Sequence, residues 1–217
     1  MKKKLAKIAA LSMAAVSLVL VTVLVTVAFL TSKSGPITNT FTVGDVEIYM
    51  DESSVSEDGV QINDERRQVN QYRLVPGRTY TKDPIVHVKA DSEASYLFVE
   101  INNGIAGIET EDTSKTIKGQ MENNNWKLIE ETETASIYVY AKEGDVATQI
   151  MRTNEIQDIP VFETFTVATN RDISTYANAQ VVLTAYAIQA EGISVESDQD
   201  VKTAWSAVKT AQQSQNN

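Results

Sequence analysis

The sequence predicts a mainly β fold: a jelly-roll-like antiparallel β-sandwich with one or two short helices, preceded by an N-terminal signal or transmembrane helix. Three observations predict it. Short runs of β-branched and aromatic residues recur between turn signals. One of them, Gln180–Ala190, is apolar on both parities, the pattern of a strand covered on both faces. An uncharged stretch of 23 residues, Ile8–Leu30, follows a start that carries Lys2, Lys3, Lys4 and Lys7.

As a helix that stretch reaches about 34 Å, enough to cross a hydrocarbon core of about 30 Å. Two readings stay open. A signal peptide has a basic start, an apolar middle and small residues at the cut, as in Thr26-Val27-Ala28. An uncut single-span anchor ending at Leu30 fits the length of the run. In both, the lysines stay inside and the rest of the chain lies outside.

The first candidate strand, Phe41 to Met50, changes phase. Phe41 and Val43 share one parity, Val46, Ile48 and Met50 the other, and Gly44-Asp45 lies between, which suggests a bulge or bend. Asp51–Gln68 is polar and reads as a long exposed loop or a disordered insertion. Val75-Pro76-Gly77-Arg78 has Pro and Gly where a type II turn wants them. Ile85–Lys89 and Ser95–Ile101, joined by Asp91-Ser92-Glu93, read as a hairpin. Thr113–Asn123 is a helix candidate that Gly119 weakens. Ser136–Ala141 and Val161–Val167 are further strands. The clearest helix follows Gly192: Val201, Ala204, Trp205, Val208 and Ala211 share one face, and Ser197 with Asp200 form a capping-box pattern at its start. Trp205 reads as a packing anchor.

The 217 residues contain no cysteine, which excludes a disulfide framework and thiol chemistry. Loss of the first 28 residues removes four lysines and no acid, moving the formal net charge from −10 to −14. So acidic a surface argues against nucleic acid or anionic lipid as a partner held by charge. The one histidine, His87, cannot make a paired-histidine zinc site and reads as a surface or hairpin side chain. No Gly-x-Ser-x-Gly elbow and no glycine-rich phosphate loop is present. Glu109-Glu111-Asp112, Glu130-Glu131-Glu133 and Asp198-Asp200 lack calcium-loop spacing and read as solvated surface. No catalytic, cofactor or metal residue is assigned, and an enzyme is not expected.

Ala28-Phe29-Leu30-Thr31-Ser32 and Asn39-Thr40-Phe41-Thr42-Val43-Gly44-Asp45-Val46, with Tyr72-Arg73-Leu74-Val75-Pro76-Gly77, Tyr80-Thr81-Lys82-Asp83-Pro84, Ser95-Tyr96-Leu97-Phe98-Val99 and Thr184–Ala190, resemble the TasA/camelysin-type exported proteins of Gram-positive bacteria. The resemblance runs over most of the chain through packing and turn motifs. It departs in a valine-rich apolar run where the family has glycines, and in Phe29-Leu30-Thr31-Ser32 where the family has Tyr-Phe-Thr-Asp or similar. It implies a jelly-roll domain, export with cleavage by a SipW-type signal peptidase, and subunits of extracellular biofilm matrix fibres. Such fibres form when an N-terminal strand is donated to the next subunit. The cut is expected between Ala28 and Phe29, and the candidate donor strand carries Phe29, Leu30, Ile37, Phe41 and Val43. Camelysin has been described as a protease, and no residue of this chain carries that activity over.

The expected organisation is a signal peptide over 1–28, a linker or donor segment over 29–39, a β-sandwich over 40–211 and a polar tail over 212–217. The alternative function is an outward-facing adhesion or binding domain held at the cell surface by residues 8–30, and a camelysin-like hydrolase ranks behind it.

Overall fold

A computed structural model describes residues 31–35, 38–39 and 46–215. Twelve strands are described: β1 (Thr31–Gly35), β2 (Thr38–Asn39), β3 (Ile48–Val55), β4 (Gln61–Arg67), β5 (Thr79–Thr81), β6 (Ile85–Val88), β7 (Ser95–Asn103), β8 (Trp126–Glu131), β9 (Ser136–Tyr140), β10 (Gln157–Pro160), β11 (Thr164–Thr166) and β12 (Val181–Gln189). Two α-helices are α1 (Ile117–Asn123) and α2 (Asp198–Gln215). The pairings are antiparallel and the sheets are open. The larger sheet runs β2-β1-β12-β7-β9-β8, the second β10-β6-β3-β4, and β11-β5 form a separate pair. The fold is therefore mainly antiparallel β, consistent with a β-sandwich.

Period-two alternation in the large sheet sorts side chains into two cores. Leu97, Val99 and Ile101 of β7, Tyr138 and Tyr140 of β9, and Leu183, Ala185 and Ala187 of β12 face one core with Val86 and Val88 of β6 and Ile48 of β3. Tyr96 and Phe98, Ile137 and Val139, and Tyr186 and Ile188 face the other, where α2 supplies Val201, Ala204, Trp205 and Val208. A sheet sealed on both sides explains why Gln180–Ala190 lacks polar alternation, and β12 lies between β1 and β7. The capping box at α2 is present: Asp200 N donates to Ser197 Oγ at 3.3 Å and Ser197 N to Asp200 Oδ2 at 2.9 Å. Gly77 has φ of 79° in the Val75–Arg78 turn, which Arg78 N closes onto Val75 O at 3.1 Å.

Four expectations change. Ile85–Lys89 and Ser95–Ile101 are not a hairpin, since β6 pairs with β3 and β10 while β7 pairs with β12 and β9. Both are buried on both faces, so each needs its own flanking strands, and Asp91-Ser92-Glu93 carries the chain between sheets. Asp51–Gln68 is no loop: β3 continues to Val55 and turns at Gly59 into β4, whose polar residues suit an exposed edge strand. Thr113–Asn123 splits into a 3-10 turn, Thr113–Lys115, and α1. Gly119 is required there, because a Cβ would come within 1.9 Å of Thr113 O. Val161–Val167 contains only the short β11. The phase change at Gly44-Asp45 lies outside the described residues.

Trp205 is 2 % exposed and its ring meets Tyr186 at 5.1 Å and Phe98 at 5.6 Å. Trp205→Ala should cost about 3–5 kcal/mol through the cavity it leaves. Urea unfolding followed by circular dichroism checks this, and a loss under about 1 kcal/mol would mean that the second core contributes little.

Candidate functional site

The N-terminal segment meets the fold at the outer edge of β12. β1 pairs there in antiparallel register, Thr31 with Ile188, Ser32 with Ala187, Lys33 with Tyr186 and Ser34 with Ala185. β2 folds back onto β1, with Ser34 opposite Asn39 and Gly35 opposite Thr38. The edge of the central strand is thus filled by chain from just after the apolar run. The expected cut at Ala28 and Phe29 and the candidate donor residues Phe29, Leu30, Ile37, Phe41 and Val43 lie outside the described residues. The polar stretch between them, read as linker from composition, supplies the paired strand. Backbone pairing does not require apolar side chains, so composition carries no signal for it.

The second sheet carries a line of charge across all four strands. Asp158 on β10 faces His87 Nδ1 on β6 at 2.6 Å, and His87 Nε2 faces Asp51 Oδ1 on β3 at 3.0 Å. Arg66 on β4 donates to Asp51 Oδ1 at 2.5 Å and to Asp83 Oδ2 at 3.1 Å. Asp83 in turn accepts from Ser53 N and Ser53 Oγ, both at 2.7 Å. His87, read as a surface or hairpin side chain, is 6 % exposed and stacks on Tyr49 at 4.4 Å. Burial and then the Asp51 and Asp158 carboxylates push the Tyr49 phenol above its ordinary range. Burial opposes the charge of Arg66, but its bonds to Asp51 and Asp83 outweigh that and hold it protonated. Each acid and base of this line is matched across strands that the sequence did not reveal as neighbours.

On the other parity of β3, Glu52 is buried against Lys82 and Asn70. None of the three stands out in the sequence, where Glu52 and Asn70 fall in or beside a segment read as loop. Of the acidic groups read as surface, Glu109 is buried and accepts from Ile117 N at 2.7 Å and Asn103 Nδ2 at 2.8 Å. It therefore anchors the start of α1. Glu111, Asp112, Glu131, Glu133 and Asp198 are exposed. Among the described residues no group of acids and histidine is placed to hold a metal ion, and no helix is long and apolar enough to cross a membrane. No protein-family model, curated protein or solved structure matches the chain.

Two outcomes are expected. Arg66→Ala strands Asp51 and Asp83; because about a quarter of each side chain is exposed, the loss should be about 1–2 kcal/mol, read by urea unfolding. Burial raises Glu109 above the usual carboxylate range, against the bonds from Ile117 and Asn103. A carboxyl raised on folding contributes stability at low pH that is lost as pH rises through its folded value. Stability measured from acid to neutral pH should carry this loss in the wild type and less of it in Glu109→Gln.

Proposed function

We propose that this protein is an exported, non-enzymatic subunit of extracellular fibres, of the biofilm-matrix kind, that assembles by donating its N-terminal strand to a neighbour. The observation that supports the reading is the pairing of Thr31–Ser34 along β12, which makes that edge a seat for an N-terminal strand. In a fibre the same seat takes the strand of the next copy, and the partner is a second copy of this chain. A jelly-roll arrangement of the sheets, a signal peptide over residues 1–28, cleavage after Ala28 by a SipW-type peptidase and a place outside the cell belong to the same reading. A mature chain of net charge −14 resists random association, so contact must come from backbone pairing rather than from surface charge. Nucleic acid is not a partner in this reading, and the membrane enters only through the N-terminal segment.

A second reading has one observation in its favour. The uncharged run of 23 residues is long enough to remain as an anchor, which would make the domain a surface-held binding or adhesion module.

Deletion of Phe29–Thr38 from the mature protein tests the first reading. The shortened chain should stay folded and monomeric by light scattering, while the full mature chain forms fibres visible by electron microscopy. Fibres should grow faster at lower pH or higher salt, where carboxylate repulsion weakens. Added to the full chain, the shortened one keeps a seat but offers no donor, so it should shorten the fibres. Equal assembly by both chains, or none by the full chain under acid or salt, would leave the anchored domain as the better account, as would wild-type protein recovered only in membranes with its first residues attached.

A further inference from the structure

Three side chains near the β3–β4 end of the sandwich meet in an arrangement that packing does not explain. Glu52 is 4 % exposed, and its Oε2 lies 2.5 Å from Lys82 Nζ. Its Oε1 accepts from Asn70 Nδ2 at 2.9 Å. One carboxylate thus takes an amine on one oxygen and a primary amide on the other. The amide is fixed on its other side as well: Asn70 Oδ1 accepts from Val55 N at 3.1 Å, and Nδ2 also donates to Ser53 O at 2.8 Å. Lys82 is 8 % exposed. Tyr72 lies beside the group, and burial followed by the Glu52 charge pushes its phenol well above the ordinary range, as expected where water is largely excluded.

We propose that Lys82 and Asn70 react with each other, with Glu52 as proton carrier, to form an intramolecular isopeptide bond between Lys82 Nζ and Asn70 Cγ. The first step passes a proton from Lys82 Nζ to Glu52 along their 2.5 Å contact. The freed amine lone pair attacks Asn70 Cγ, and the N–C bond forms as the carbonyl π electrons move onto Oδ1. The Val55 N–H, already pointed at Oδ1, stabilises that oxyanion. Glu52 gives its proton to Nδ2 and takes the second one from Nζ. The oxyanion collapses, the Cγ–Nδ2 bond breaks, and ammonia leaves, taking the last proton from Glu52 to depart as ammonium. Glu52 ends as the carboxylate it began as, and no oxidant, reductant or cofactor is consumed. Folding does the rest, because three segments (β3, the chain after β4, and the chain after β5) bring the groups together only in the native state.

The bond gives a chain without cysteine a covalent clasp that does not depend on redox conditions. It is independent of fibre assembly, and its test does not involve fibres. Intact mass spectrometry of the purified full-length or exported protein should read one ammonia, about 17 Da, below the mass of the sequence. A protease digest should contain a branched peptide that joins Asn70 to Lys82. Glu52→Gln, Asn70→Ala and Lys82→Arg should each return the sequence mass. The wild-type digest decides even where a variant fails to fold. A folded wild-type chain at full sequence mass overturns the proposal, because Glu52, Lys82 and Asn70 are then only a buried ion pair with an amide beside it. So does an ammonia loss that persists in Lys82→Arg, which would place the chemistry at another residue.

Discussion

The nine-residue antiparallel register of β12 on β7 is the constraint on which the rest depends. From Val181 opposite Asn103 to Gln189 opposite Ser95, it fixes which side chain of each strand faces which core. A slip of one residue would send Leu183, Ala185 and Ala187 toward α2 and Tyr186 and Ile188 toward the second sheet. Small alanines would then meet the helix, and Tyr186 would be driven into the layer between sheets. The size pattern therefore pins the register, and the register in turn positions Trp205, β9 and the seat for β1.

Parts of this were legible in sequence for identifiable reasons. Gln180–Ala190 announced its place by being apolar on both parities, and α2 by a clean helical stripe behind a capping pair. Those signals are local. The Ile85–Lys89 and Ser95–Ile101 runs misled because a hairpin and a crossover between sheets have the same local pattern: two β-type runs and a polar turn. Asp51–Gln68 misled differently. Strand residues there are charged because β4 is an edge and because Asp51 and Arg66 are matched to one another across strands. Polarity that is satisfied by a partner looks the same in sequence as polarity that is satisfied by water. The same ambiguity hid His87, Glu52, Lys82, Asn70 and Glu109.

The second sheet shows how an acidic chain can tolerate charge at low exposure. Three carboxylates, Asp158, Asp51 and Asp83, recur along the line, and His87 and Arg66 stand between them as partners. Such contacts contribute modestly where they are part-exposed, and more to fixing which strands lie beside one another. Glu52 and Lys82 differ in being turned inward, with the Asn70 amide on the same carboxylate. That difference separates a structural pairing from one with a reason to react.

The placement of β1 sets a condition on any assembly through the same edge. A strand of the same chain competes for β12 at an effective concentration of the order of millimolar when its tether is short. A neighbour's strand at lower concentration loses that competition unless it makes contacts that the chain's own strand cannot. The described pairing uses Thr31–Ser34, all without large apolar side chains, and ends at Gly35, where β2 turns the chain back. The apolar residues proposed for donation, Phe29, Leu30, Ile37, Phe41 and Val43, flank that register on both sides. A donated strand that ran on without the β1–β2 reversal could set more of these against a neighbour than a strand folded back on its own domain. Exchange would then trade a short polar pairing for a longer apolar one, and the number of apolar contacts beyond Gly35, rather than the pairing at Thr31–Ser34 common to both states, would decide whether the chain closes on itself or joins another.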